Sequence, residues 1–147
     1  MTPRPRPEVL HERRLFVLDS EALSKAVGGD RVMLARINKA WQSKSPVVTS
    51  ALTTLEAWDP RQARMARLWE RAMSRIAVVH TDETIIAEAR SLLKGAGLHG
   101  HKYAIDAVLA AVALAQARRG GQVTVLTSDV DDLERLLAGH PVVVAPV

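Results

Sequence analysis

Short and almost uninterrupted apolar runs recur along the chain and alternate with longer segments of helical periodicity. The apolar runs predict strands at 15–18, 46–50, 76–80, 123–127 and 141–146. The periodic segments predict helices at 20–27, 31–42, 51–58, 61–74, 82–94, 103–119 and 130–137. Continuous apolar runs are typical of strands that are covered on both faces, and therefore of a parallel sheet. The pattern predicts a three-layer α/β fold with a central parallel five-stranded sheet flanked by helices.

The length of 147 residues fits one domain, and the sequence contains no internal repeat. Alternating proline and arginine at the start predict a flexible basic lead-in at 1–14, followed by a single domain at 15–147. The lead-in lacks the apolar segment of a secretory signal. The longest apolar run, Ala107 to Ala115, has nine residues, whereas a membrane span needs about 20. We therefore expect no membrane segment.

The amino-acid composition excludes some kinds of functional site and favours one class of partner. The chain has no cysteine, which excludes disulfides, zinc–thiolate sites and cysteine nucleophiles. The same absence fits a reducing compartment, so the predicted location is the cytoplasm. A net charge of +4 and a pI near 10.0 favour a polyanionic partner.

Acidic residues follow several of the predicted strands. Asp19 comes directly after the first strand, Asp129 comes after the fourth, and Glu56 lies in the helix that follows the second. The carboxyl ends of parallel strands lie at one edge of the sheet, where open α/β folds bind their ligands. We therefore expect these three side chains to converge on one rim.

Asp106 is the only charged residue between Tyr103 and Ala117, in a helix that is apolar nearly all round. Such a helix should be buried, where an acid is costly unless it is paired or bound to a metal. Taken alone, an acid in the first turn of the predicted helix could simply stabilise the helix dipole. Taken with the other acids, and with no Lys or Arg beside each of them, it favours a divalent cation with oxygen ligands. Such an ion can activate water and hold a phosphate oxygen.

Four segments carry a resemblance to a known family. They read "VLDSEAL", "VVTSALTTLEAW", "YAIDAVLAAVALA" and "VTVLTSDVDDLERL". Over residues 15 to 146 the chain resembles a PIN domain, specifically the VapC-type toxins of bacterial toxin–antitoxin pairs. The resemblance implies a three-layer PIN-like fold and a Mg²⁺- or Mn²⁺-dependent endoribonuclease that hydrolyses RNA phosphodiester bonds through metal-activated water. It also implies inhibition by a cognate antitoxin protein and assembly as a homodimer.

The resemblance also assigns individual residues. The catalytic acids of the family correspond to Asp19, Glu56, Asp106 and Asp129. The implied metal ligands are Asp19, Asp106 and Asp129, with Asp131 as a further acid, whereas we interpret Asp132 as an N-terminal helix acid. The hydroxyl of the family's T-x-D pattern is Thr127, which we place among the RNA contacts.

Arginines recur at spacings of three and four residues in "RQARMARLWERAMSR". They are Arg61, Arg64, Arg67, Arg71 and Arg75, and on a helix they fall within an arc of about 120°. The functional interpretation is a surface that binds RNA phosphates, with Arg64, Arg67 and Arg71 as the contacts. The alternative is an ordinary solvated helix face. The nearby "HGHK", residues 99–102, is more typical of a solvated loop than of a metal site or an RNA contact.

Two other function classes remain to be weighed. One is a catalytically silent PIN-fold module that binds RNA or protein, which the retention of all four acids disfavours. The other is a phosphoacceptor receiver domain, which would require an acidic pair after an early strand and a lysine after the late one. This chain has Asp19 alone at the first position and Asp129 at the second. A nuclease assay with and without a chelator would separate the three classes.

Overall fold

The computed structural model describes residues 13–61 and 65–147, in which strands alternate with helices. The strands are β1 (Arg14–Leu18), β2 (Val47–Ser50), β3 (Ala77–Val79), β4 (Gln122–Thr127) and β5 (Val142–Pro146). The helices are α1 (Ser20–Val27), α2 (Arg31–Gln42), α3 (Ala51–Ala57), α4 (Met65–Met73), α5 (Glu83–Ala96), α6 (Gly100–Arg118) and α7 (Val130–Leu136). All five predicted strands are present, with each end within one residue of the prediction.

The strands form one sheet in the order β3-β2-β1-β4-β5, and every neighbouring pair is parallel. The central strand β1 is paired on both sides, with Val17 opposite Val48 of β2 and Val125 of β4. Its continuous apolar sequence is explained by this position, because both of its faces are covered. The predicted parallel five-stranded α/β fold is confirmed.

Two apolar layers flank the sheet. Leu15 and Val17 of β1 face the layer that contains α5, α6 and α7, whereas Phe16 and Leu18 face the layer that contains α1, α2 and α4. This alternation follows from the two-residue period of a strand. Helix α6 fills the centre of its layer, and its residues from Ala107 to Leu114 are all buried. A helix that is apolar all round is therefore buried all round, as the sequence predicted.

Helix α6 begins three residues earlier than predicted, at Gly100, with His99 as its N-cap. Two expectations were therefore wrong. His101 and Lys102 belong to the first turn of a helix rather than to a loop. Asp106 is the seventh residue of the helix and lies in its second turn, where the favourable field of the helix N-terminus has declined.

The predicted lead-in at 1–14 falls mainly outside the described residues, since 1–12 are not among them. Arg14, which the prediction placed in the lead-in, is the first residue of β1. In the described part of the chain, no helix has the length and hydrophobicity that crossing a membrane requires.

Candidate functional site

The order of the strands creates a crevice at the carboxyl end of the sheet, beside the central strand β1. From β1 the chain proceeds to β2 and β3 on one side, and it later returns to form β4 and β5 on the other. Strands β1 and β4 are therefore neighbours at a topological switch point, where open α/β sheets bind ligands. Asp19 follows β1 and Asp129 lies just beyond β4, so both acids are at this point.

Asp19 is buried and tightly held. Its Oδ1 accepts a hydrogen bond from the N–H of Ala22 at 2.8 Å, which makes it the N-cap of α1. Its Oδ2 accepts from the hydroxyl of Thr127 at 2.6 Å and from the N–H of Ser128 at 3.0 Å. The side chain is only 4% exposed. Three donors from two segments therefore fix the orientation of this carboxylate.

Thr127 connects the two acids of the switch point. Its hydroxyl donates to Asp19 and accepts a hydrogen bond from the N–H of Asp129 at 2.9 Å. The residue is completely buried, so it has no surface with which to contact RNA. The predicted RNA contact is therefore corrected to a positioning residue that joins the end of β1 to the turn after β4.

Asp106 projects from α6 into the field of several other acids. Its pKa is raised to about 6, mainly by partial burial and then by the negative charges of Asp129, Glu56, Asp132 and Asp19, in that order. Desolvation and like charges both disfavour the carboxylate form. The acids expected from distant parts of the chain therefore lie close enough together to repel one another.

Asp129 experiences the same field. Its pKa is raised, first by partial burial and then by the charges of Asp19, Asp132 and Glu56. Although Asp129 occupies the N-cap position of α7, its side chain makes no capping hydrogen bond. Its carboxylate is therefore not committed to the helix and is available to a ligand.

Glu56 reaches the site from α3 and is exposed. Its Oε1 accepts a short hydrogen bond from the hydroxyl of Ser20, the first residue of α1. This contact connects α3 to the end of β1, directly beside Asp19. Sequence analysis did not single out Ser20 as a partner of Glu56, since the two residues are 36 positions apart.

The acid of α7 that reaches the cleft is Asp132 and not Asp131, which sequence analysis had named. Asp132 lines a cleft of about 410 Å³ together with Glu56, Asp106 and Asp129, whereas Asp131 is exposed and is not part of this lining. Residues three apart lie on the same side of a helix, so Asp132 is above Asp129 and Asp131 is turned away by about 100°. The sequence interpretation named Asp131 as the further acid and set Asp132 aside, whereas Asp132 is the one that lines the cleft.

Among the described residues, no Lys or Arg forms an ion pair with an acid of this set. Within residues 13–61 and 65–147 the ion pairs are Arg61–Asp59 and Arg118–Glu88, neither of which involves an acid of the cleft. In the same described ranges, no three His, Cys, Asp or Glu side chains are arranged as a ready-made ligand group. The donors are nevertheless all carboxylate oxygens that have no ion-pair partner in the described ranges, and this chemistry suits a hard divalent cation.

The predicted arginine surface is only partly described. Arg64 lies outside the described residues. Arg67 and Arg71, four residues apart on α4, are both exposed. The other two arginines of the arc that can be located have protein partners: Arg61 pairs with Asp59 at 2.9 Å, and Arg75 lies 5.8 Å from the ring centre of Trp41.

The first turn of α6 also borders the acidic cleft, which sequence analysis did not foresee. His101, Lys102 and Tyr103 line the cleft beside Asp106. The only signal in the sequence was the run "HGHKY" itself, and the early start of α6 is what brings these side chains to the cleft.

Comparisons with known proteins support the fold. The family model described as "PIN domain" matches residues 16–136. No curated protein matches the chain.

Three solved structures share the fold. VapBC2 from Rickettsia felis, bound to a DNA fragment from the promoter, is 12% identical with a TM-score of 0.68, covering 90% of this chain and 98% of that one. VapBC-1 from nontypeable Haemophilus influenzae is 16% identical with a TM-score of 0.60, covering 90% and 97%. A toxin–antitoxin complex from Klebsiella pneumoniae is 22% identical with a TM-score of 0.55, covering 86% and 94%. Because the family match extends from β1 to α7, the chain belongs to the PIN domain family.

Proposed function

We propose that this chain is a divalent-metal-dependent endoribonuclease and the toxin of a type II toxin–antitoxin pair. The observation that carries the proposal is the group of acids at the switch point, where Asp106 has its pKa raised by the charges of Asp129, Glu56, Asp132 and Asp19. Mutual repulsion of this kind is costly unless a ligand compensates for it. A cation bound there would do so.

In this proposal Asp19, Asp106 and Asp129 hold the cation, which is Mg²⁺ or Mn²⁺. We propose Asp132, which lines the cleft, as the additional acid in place of Asp131. Glu56 orients the attacking water or holds a second ion. When bound, the cation lowers the pKa of water and stabilises negative charge on the phosphate.

The protein residues then have separate tasks. Thr127 and the N–H groups of Ala22 and Ser128 keep Asp19 in one orientation, so that little reorganisation accompanies binding. Ser20, the residue after Asp19, restrains Glu56 through the hydrogen bond from its hydroxyl. The products would carry a 5′-phosphate and a 3′-hydroxyl.

The substrate and partner assignments rest on charge and on similarity. The exposed Arg67 and Arg71 supply positive charge for RNA phosphates, on a protein with a net charge of +4. The similar structures from R. felis and K. pneumoniae are described as VapBC2 and as a toxin–antitoxin complex. An antitoxin protein is accordingly the proposed partner of this chain, with a homodimer as its assembly and the cytoplasm as its location.

Cleavage of RNA by the purified protein tests the proposal. We expect cleavage with Mg²⁺, none with a chelator, and a loss of at least about a hundred-fold in Asp106→Asn. Asp30→Asn is the matched control, because it removes the same charge from the N-cap of α2, where Asn caps as well as Asp. If Asp106→Asn retains the activity of Asp30→Asn, the assignment is wrong. If the wild type binds RNA but never cleaves it, the chain is instead the silent binding module.

A further inference from the structure

The first turn of α6 forms an edge of the acidic cleft that has the opposite chemical character. Of the side chains that line this cleft, four are carboxylates, and Lys102 is the one with a fixed positive charge. His101 and Tyr103 lie on either side of it in the sequence and line the same cleft. This edge, consisting of His101, Lys102 and Tyr103, is here termed the basic–aromatic edge.

The rings of this segment are clustered and accessible. The ring centres of His99 and His101 are 6.4 Å apart, with an angle of 27° between the planes. The ring of Tyr103 is 6.0 Å from that of His99. His99 and His101 are exposed and Tyr103 is half-buried. Exposed or half-buried rings next to a cleft can receive a nucleobase by stacking.

The ammonium of Lys102 is available for an anion. It lies 5.2 Å from the ring centre of Tyr103, which restrains it beside the ring. Within residues 13–61 and 65–147 it forms no ion pair, although Asp106, Asp129 and Asp132 line the same cleft. It is therefore not consumed as the counter-ion of a carboxylate.

The negative charge of the cleft explains why a positive contact at this edge would matter. A polyanion that approaches the four carboxylates of the cleft is repelled, so a substrate needs a positive contact close to the reacting phosphate. The exposed arginines of α4 belong to another helix, whereas Lys102 is within the lining of the cleft itself. The rings of His101 and Tyr103, which line the same cleft as this cation, would hold a base as well as a phosphate.

We propose that the basic–aromatic edge binds single-stranded RNA directly beside the reacting bond, an inference that rests on the proposed nuclease function. Lys102 contacts a phosphate adjacent to the one that is cleaved, and Tyr103 and His101 stack on an unpaired base. Paired bases are already stacked within their helix and cannot occupy these rings. The edge thereby selects unpaired RNA over duplex.

Binding of a short fluorescein-labelled single-stranded RNA, measured by anisotropy in the Asp106→Asn background, tests this edge. We expect Lys102→Gln to weaken binding about ten-fold and to reduce the slope of log K against log salt by about 0.7. Lys39→Gln, which removes the same charge from the end of α2, should change affinity by less than about two-fold. Equal effects of the two variants would overturn the proposal.

Stacking needs its own pair of variants. Tyr103→Leu should weaken binding of the single strand by about five-fold or more and leave a duplex of the same sequence unaffected, whereas Tyr103→Phe should retain wild-type affinity. Thermal melting of each variant shows whether it is folded. Equal loss for single strand and duplex would contradict the stacking role.

The wild-type protein separates this inference from the proposed function. If it cleaves RNA with Mg²⁺ and Lys102→Gln leaves KM unchanged, the edge is wrong while the nuclease stands. If it binds single-stranded RNA through Lys102 and Tyr103 but does not cleave it, the nuclease is wrong while the edge stands.

Discussion

The hydroxyl of Thr127 lies 2.6 Å from Oδ2 of Asp19 and donates a hydrogen bond to it, across 108 positions of sequence. The same hydroxyl accepts a hydrogen bond from the N–H of Asp129. One completely buried hydroxyl therefore connects two acids that follow neighbouring strands. The hydrogen bonds of Thr127 therefore hold the backbone of Asp129 in place relative to the carboxylate of Asp19.

Replacement of Thr127 by valine, which has nearly the same shape, should disturb both acids. The N–H of Asp129 loses its acceptor and Asp19 loses one donor, so we expect the free energy of unfolding to fall by about 1–3 kcal/mol. Cleavage of RNA should slow by about ten-fold to a hundred-fold, since misplaced groups lose catalytic power. Chemical denaturation and steady-state cleavage measure the two effects.

Thr127→Ser is the control, because it retains the hydroxyl and should keep most of the activity. If the serine variant is as inactive as the valine variant, the methyl group rather than the hydrogen bond is what matters.

The raised pKa of Asp106 predicts that its ionised carboxylate destabilises the folded protein at neutral pH. The pKa rises from an ordinary 3.8 to about 6 on folding, so the folded state binds this proton more tightly than the unfolded state. The stabilisation that comes from this tighter proton binding is complete below about pH 4 and is lost as the pH rises through about 6. Asp106→Asn should therefore gain roughly 1 kcal/mol over the wild type above that pH, after allowance for solvent screening.

Denaturation of both proteins between about pH 4 and pH 8, without divalent cations, measures this difference. Addition of Mg²⁺ should then stabilise the wild type more than Asp106→Asn, because a ligand of the folded state raises its stability. A difference that does not change with pH would show that Asp106 does not carry the expected repulsion.

Ser20 should matter for activity more than for stability. Its hydroxyl donates to Glu56 on the exposed side of the site, where a lost hydrogen bond costs little because water replaces it. We expect Ser20→Ala to lower kcat by about three-fold to ten-fold with nearly unchanged KM, as for a group that positions a catalytic side chain. Ser20→Thr, which keeps the hydroxyl, should restore kcat.

A double variant of Ser20 and Glu56 shows whether Ser20 acts through Glu56. If Ser20 acts through Glu56, then Ser20→Ala should have no further effect once Glu56 has been replaced by glutamine. Additive losses would indicate an independent role for Ser20.

The exposed arginines of α4 predict a salt-dependent contribution to RNA binding. Replacing both Arg67 and Arg71 by glutamine should reduce the slope of log K against log salt by about 1.4, the value expected for two lost phosphate contacts on a single strand. Arg31 and Arg90, which are also exposed but lie on α2 and α5, provide a control variant of equal charge. An unchanged slope would leave α4 as an ordinary solvated face.

The positions of the strands, and of the acids that follow them, could be predicted from the sequence. Asp19 comes directly after β1 and Asp129 lies two residues beyond β4, because apolar runs and their polar ends are local features of the chain. The buried helix around Asp106 was predictable for the same reason, since its apolar residues cover every face. Parallel pairing then places strand ends at a common edge without any further information.

The contacts among those acids were decided by the tertiary structure. Whether Asp131 or Asp132 enters the cleft depends on the rotation of α7 against the sheet, which is fixed by the packing of Leu133 and Leu136. The links from Thr127 to Asp19 and from Ser20 to Glu56 join residues 108 and 36 positions apart, and no local pattern records them. Sequence periodicity specifies which face of an element is apolar, but only the assembled layers determine which polar atoms meet above the strand ends.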